Sequence, residues 1–324
     1  MRDTLGDTGV VPSPGYPYSS PDLIGYDPVA PSQVQAFFSS NYDSDVNKPI
    51  QLGSRMNPLY VRGKNLATTT KTGQYISVYR ANTSLFLTPS RWAPNRLATQ
   101  SGAGSVALPE MAPGAIGVGP EPFLIDGTVG QGLYCLVGMV TSTPNPVLPP
   151  DFASYSDYIA WVRNNQNVCG RNLSVLSSFP ARAFERWDTF SNPEENAVPV
   201  LFMVTVNGPQ GLPSGTTFGI TCNPIGVQAS WTWNPSSPSQ TASSMCPKTW
   251  SGTAVTWATL PSGAVWPRGT TIGTKVYVGR DADDPVAIYA TPWDELPVGP
   301  GDVDGVEDGV LVLLGTVTTQ LAAS

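Results

Sequence analysis

No histidine occurs among the 324 residues. An imidazole general base, a Ser-His-Asp or Cys-His nucleophile pair and the commonest transition-metal ligand are therefore excluded by composition. Charge is scarce as well: 13% of the chain is Asp, Glu, Lys or Arg, against about 25% in an ordinary globular protein. The solubilising surface must come from Ser, Thr, Asn, Gln and Gly. The net charge is −7, and the 17 Lys and Arg lie singly along the chain, with Arg55, Arg62, Lys64 and Lys71 as the densest stretch. That is no footprint for nucleic acid. No run approaches the roughly 18 apolar residues of a membrane span, and Met1-Arg2-Asp3-Thr4 lacks the apolar core of a signal peptide.

What the chain has in abundance is Gly (32), Pro (33) and short β-branched or aromatic runs. Tyr75–Arg80, Leu133–Val140, Val200–Val206, Phe218–Cys222, Lys275–Val278, Val286–Tyr289 and Val310–Leu314 read as strands between Pro, Gly and Asn turns. The expectation is an all-β protein. Its length exceeds the roughly 250–300 residues at which one core stops growing, so two β-sandwich domains, immunoglobulin-like or jelly-roll-like, are expected. Residues 1–31, with six prolines, predict an extended arm. A first sandwich follows over 32–178, then a charged linker over 179–199 carrying Arg182, Glu185, Arg186, Asp188, Glu194 and Glu195, then a second sandwich over 200–324. One short helix is expected within Asp151–Asn165, with Ser154 as its cap and Asp157 three residues on.

Four phrases in the first half share an order and spacing: Ser20-Pro21-Asp22-Leu23-Ile24, Asn57 to Asn65 around Tyr60-Val61-Arg62, Val78-Tyr79 through Pro89 and Trp92, and Asn164 to Asn172 ending Arg171-Asn172. Together, over about residues 20–176, they resemble bacterial extracellular immunoglobulin-like modules of the CARDB type. The resemblance implies a β-sandwich that serves as a spacer or binding element beside secreted hydrolases, adhesins and surface assemblies. The second half has no such match.

Site candidates are few. Asp302, Asp304 and Asp308 lie in a Gly-broken acidic loop whose opening resembles a calcium loop, although Leu313 stands where the bidentate Glu belongs; a solvated turn is the alternative. Asp43-Ser44-Asp45-Val46-Asn47 opens the same way. Trp231, Trp233, Trp257 and Trp266 offer an aromatic platform for a glycan, with core packing as the alternative. Four cysteines fall two to each half, so Cys135–Cys169 and Cys222–Cys246 are the disulfides expected if the compartment is oxidising; buried thiols are equally compatible. Carboxylate pairs alone could run glycoside hydrolysis, with Glu185, Glu194, Glu195 or Asp294 with Glu295 as candidates, but no spacing singles out a pair.

The expected function is accordingly non-catalytic and cofactor-free, calcium aside: a structural or adhesion protein working through protein–protein contacts, by self-association or in a surface or virion assembly, outside the cell. A glycan-binding, lectin-like module and a secreted toxin-like β protein are the alternatives. The proline-rich arm is expected to dock in trans or along a groove, because it has little conformational freedom to lose.

Overall fold

The computed structural model describes residues 1–51, 56–81, 88–127, 135–173, 175–177, 182–299, 301–306 and 309–321. The first half runs β1 (Leu23–Gly25), α1 (Pro31–Ser40), β2 (Ile50–Gln51), β3 (Met56–Lys64), β4 (Tyr75–Ala81), α2 (Pro89–Trp92), β5 (Val106–Ala107), β6 (Ile116–Val118), β7 (Phe123–Asp126), β8 (Cys135–Thr141), α3 (Tyr155–Arg163), β9 (Val168–Asn172) and β10 (Val175–Ser177). The second half supplies β11 (Ala183–Asn192), β12 (Val198–Asn207), β13 (Thr217–Cys222), β14 (Val227–Thr232), β15 (Ser239–Cys246), β16 (Trp250–Thr259), β17 (Thr271–Arg280) and β18 (Val310–Leu321). The chain is all-β, and its described residues hold three α-helices and a few single 3₁₀ turns.

The described strands form four sheets. In the first half β3 pairs with β1 on one side and with β6 and β7 on the other, and this sheet faces the sheet β5–β4–β8–β9. Alternation puts Leu59 and Val61 of β3, Ile76 and Val78 of β4, Phe123, Ile125 and Leu136 into the shared core. In the second half the sheet β11–β16–β13–β14 lies over β15–β12–β17–β18–β10–β2. Phe184, Phe190, Phe218 and Ile220 from the first of these meet Val200, Phe202, Val204, Val276 and Val278 from the second.

Four expectations are corrected. The charged stretch 179–199 is not a linker: β11 occupies its middle and pairs with β16 through all ten residues. Arg186 and Asp188 point inward, 2.8 Å apart, and Arg186 reaches Thr274 Oγ1 (2.5 Å), Thr319 Oγ1 (3.1 Å) and the Ile272 carbonyl. A buried charge needs such partners. Nor are the two sandwiches independent, because β10 and β2 of the first half add in parallel to β18, and one core runs from Tyr79, Cys135 and Val137 through α3 into Val200 and Phe202. Helix content was also underestimated. Besides α3, which has the expected Ser154/Asp157 capping box, α1 starts on Pro31 and buries Val34 and Phe38. Residues 287–289, expected in a strand, form a 3₁₀ turn.

The N-terminal arm folds back on its own chain. Ser20 N–H donates to the Gly170 carbonyl and Asn172 N–H to the Tyr18 carbonyl, so residues 18–20 run along the free edge of β9. Gly170 makes this possible, since a Cβ there would stand 2.3 Å from the Pro17 carbonyl oxygen. Further out, Ser13 exchanges hydrogen bonds with Arg163 at the end of α3, and Tyr16 donates to the Tyr289 carbonyl of the second half. Asp22 is fully buried between Arg2 (2.7 Å) and Arg62 (3.1 Å). Arg62 spends its remaining donors on the carbonyls of Pro21, Phe38, Asn41, Tyr42 and Ser44. Residues 1–22 are a strap clasping both halves.

Candidate binding face

Of the four tryptophans expected on a platform, three face the core. Trp231 shares the inward face of β14 with its neighbour Phe218 of β13, ring centroids 5.6 Å apart. Trp233 donates its indole N–H to the Val206 carbonyl (2.9 Å), and Trp233 and Trp266 both pack on the second-half core. The alternation that places Trp231 and Trp233 on one side is real, but that side is the interior. Trp257 is different. It lies on the outer face of β16, where the register builds solvent-facing rows across the four-stranded sheet.

One row reads Ala183, Thr259, Thr217, Thr232; the next Glu185, Trp257, Gly219, Ser230; the next Trp187, Val255, Thr221, Gln228. Thr189 with Thr253 and Ser191 with Ser251 continue it along β11 and β16. Trp187 is 54% exposed. Trp257 lies over the strand beside it: a Cβ on residue 219 would come within 2.5 Å of its Cζ2 and 2.2 Å of the Ala229 carbonyl oxygen. The missing side chain lets the indole approach the backbone of β13 closely, and Trp257 remains partly exposed. Trp187 sits diagonally across the strand pair from Trp257, at the roughly 7–8 Å usual for that relation. The result is a sheet face on which Trp187, Val255 and Trp257 adjoin among hydroxyls and one amide, with Glu185 as the one ionisable side chain in these rows.

Trp187 was missed in the sequence because its segment reads as a charged linker. The available signal was alternation: Glu185, Trp187 and Thr189 face out while Phe184, Arg186, Asp188 and Phe190 face in.

The other candidates do not converge on a site. Asp302 accepts from the Gly299 N–H (2.6 Å) as a turn cap, Asp304 is exposed, and Asp308 lies outside the described residues, as does Arg55. No group of three or more Cys, Asp or Glu side chains placed to hold a metal occurs among the described residues. Asp45 of the second acidic stretch binds Arg171 (2.8 Å) and caps Asn47 N–H. Glu194 chelates Arg280 with both oxygens, which makes it structural, and Asp294 and Glu295 sit in an exposed 3₁₀ turn. That turn borders a cleft of about 600 Å³ on the outer face of the six-stranded sheet, floored by Thr205, Gly273, Lys275 and Thr318.

All four cysteines are free and buried. Cys135–Cys169 is ruled out by register: Cys169 pairs with Gly138, three residues along β8 from Cys135, and the two thiols point into different cores. Three residues of strand span about 10 Å, beyond the Cα separation a disulfide tolerates. Burial raises the Cys222 and Cys246 thiols to about 11 and about 12, and each holds a place in the second-half core as a small hydrophobe.

No protein-family model matches the chain, and no curated protein matches it. Among solved structures it is similar to red sea bream transglutaminase (11% identity, 86% of this chain and 30% of that chain, TM-score 0.22). It is also similar to the collagen adhesin of S. aureus (7%, 84% and 89%, TM-score 0.21) and to the C-terminal domain of the Streptococcus pyogenes antigen I/II-family protein AspA (8%, 84% and 94%, TM-score 0.19). At these TM-scores the similarity assigns neither a topology nor a function to this chain.

Proposed function

We propose that the chain is a non-catalytic, adhesion-type β-sandwich protein that holds a partner against the outer face of β11–β16–β13–β14, acting at a cell surface, outside the cell or on a virion. The observation that carries this reading is Trp187, a large apolar side chain left more than half exposed midway along the edge strand β11 of a hydroxyl-lined sheet face, with Val255 and a second outward tryptophan, Trp257, on the strand beside it. Leaving that area in water forgoes burial worth about 25 cal/mol per Å², an arrangement a binding surface explains. The immunoglobulin-like resemblance of the first half, as a spacer or binding element, is in keeping with it. The test is retention on an array of extracellular-matrix proteins and surface polysaccharides: the wild-type chain is retained, and Trp187→Ala loses retention while keeping its melting temperature. Substrate turnover abolished by a single carboxylate change such as Glu195→Gln overturns it.

Self-association is a second reading. Its support is β11, a ten-residue edge strand that pairs only with β16 among the described strands and so offers a backbone edge for strand addition. The strap contributes nothing to it, being docked in cis. Light scattering across a concentration series decides: growth in mass supports assembly, and a monomer throughout removes it.

A further inference from the structure

We infer that the occupant of the Trp187–Trp257 face is a neutral polysaccharide chain lying flat across it; the inference rests on the reading that this face binds a partner. A pyranose ring is amphipathic in a particular way, with C–H patches on its faces and hydroxyls around its rim. Its complement is an exposed aromatic face with hydrogen-bonding groups at the same level beside it.

The register supplies that pattern. Trp257 extends over Gly219 on the outer face and remains partly exposed there, and Trp187 stands one row further along the neighbouring strand. The two indoles are diagonal neighbours about 7–8 Å apart at the backbone, so they meet successive rings of a chain rather than clamp a single one. Thr259, Thr221 and Ser230 occupy adjacent positions and bring hydroxyl donors and acceptors to the rims.

Charge narrows the class. Glu185 is the one ionisable side chain in the rows, no cation stands among them, and the whole chain carries −7. Uronic, sulfated or phosphorylated polymers would be repelled and find no counter-charge. A protein partner fits less well: Trp187, Val255 and Trp257 adjoin in a short apolar strip bordered by hydroxyl positions, narrower than the broad apolar centre of a protein interface.

The experiment is affinity electrophoresis of the full chain in gels containing, separately, a soluble β-glucan, a xylan, a mannan, polygalacturonate or heparin, with indole fluorescence as a second readout. At least one neutral polymer should retard the wild-type chain and shift its emission. Trp187→Ala should weaken that binding tenfold or more without lowering the melting temperature, and Glu185→Gln should leave it unchanged or tighter. Because Trp257 also covers Gly219, Trp257→Phe, which keeps a ring there, is the companion variant and should weaken binding less than Trp187→Ala. Retardation by polygalacturonate or heparin alone, retardation by no neutral polymer, or retardation indifferent to Trp187 overturns the inference. If neutral polymers fail while retention on the mixed array still depends on Trp187, the face binds and the ligand class is wrong. If array retention ignores Trp187, the binding reading falls too.

Discussion

Between pH 5 and 7 a chain without histidine has almost nothing ordinary to titrate, and that isolates one carboxyl. Asp3, 2% exposed in the strap, has its pKa raised from 3.8 to about 7, chiefly by burial; Ser13 donates to its Oδ2 and Arg163 and the terminal ammonium oppose the shift, while Asp7 adds to it. Its Oδ1 has no hydrogen-bond partner, as suits a neutral carboxylic acid better than a carboxylate. The Tyr158 and Cys169 side chains also face it, but burial holds both in their neutral forms far above this range.

The folded state therefore binds the Asp3 proton more tightly than the unfolded state. Stability is fully present below pH 3.8 and is lost as pH rises through about 7. Between pH 5 and 7 the loss amounts to about 2 kcal/mol. Urea unfolding at pH 5, 6 and 7 measures it: the wild-type chain should weaken by that amount, and Asp3→Asn should be nearly flat. Hydrogen exchange at the Asn172 amide, which the strap protects, should accelerate over the same range, because the strap can open before the sandwiches do. Stability that rises from pH 5 to 7, or an Asn variant with the wild-type slope, refutes the reasoning.

Replacing Arg62 with Met leaves Asp22 with Arg2 alone, takes the donor from five buried or part-buried carbonyls and should cost about 3 kcal/mol, read as a fall of about 4 °C in the melting temperature of a cooperatively unfolding 324-residue chain. Gly170→Ala places a methyl 2.3 Å from the Pro17 carbonyl and should cost about 1–3 kcal/mol while exposing residues 1–20 to protease; an unchanged digestion pattern contradicts the docked strap. Gly219→Ala should lift Trp257 off the sheet, changing its fluorescence emission. Non-reducing peptide mapping should find Cys135 and Cys169 unpaired, and a bridge between them would contradict the β8–β9 register.

Strand periodicity made the sandwich class and most of the long strands legible, because alternation survives in any sheet with one buried face. The phrases of the first half were legible for a reason the structure supplies. Asp22 and Arg62 form the buried pair, Asn65 ties two loop carbonyls, and Arg171 ties the Ser20 carbonyl to Asp45. These polar residues hold the strap and β3 together. Less legible was α1, which begins on a proline, lacks a side-chain cap and reads as a continuation of the turn-rich arm.

The misreading of β11 and the missed half of the binding face have one cause. Charge density signals a solvated segment only when the charges face water, and in β11 Arg186 and Asp188 face inward, neutralising each other within a shell of threonines. An inward ion pair in a strand inverts the usual code, so that the same alternation which buries charge sends Glu185 and Trp187 outward. Composition averages the two faces and sees a linker. The register separates them, and it puts Trp187 on the one surface where Trp257 also lies.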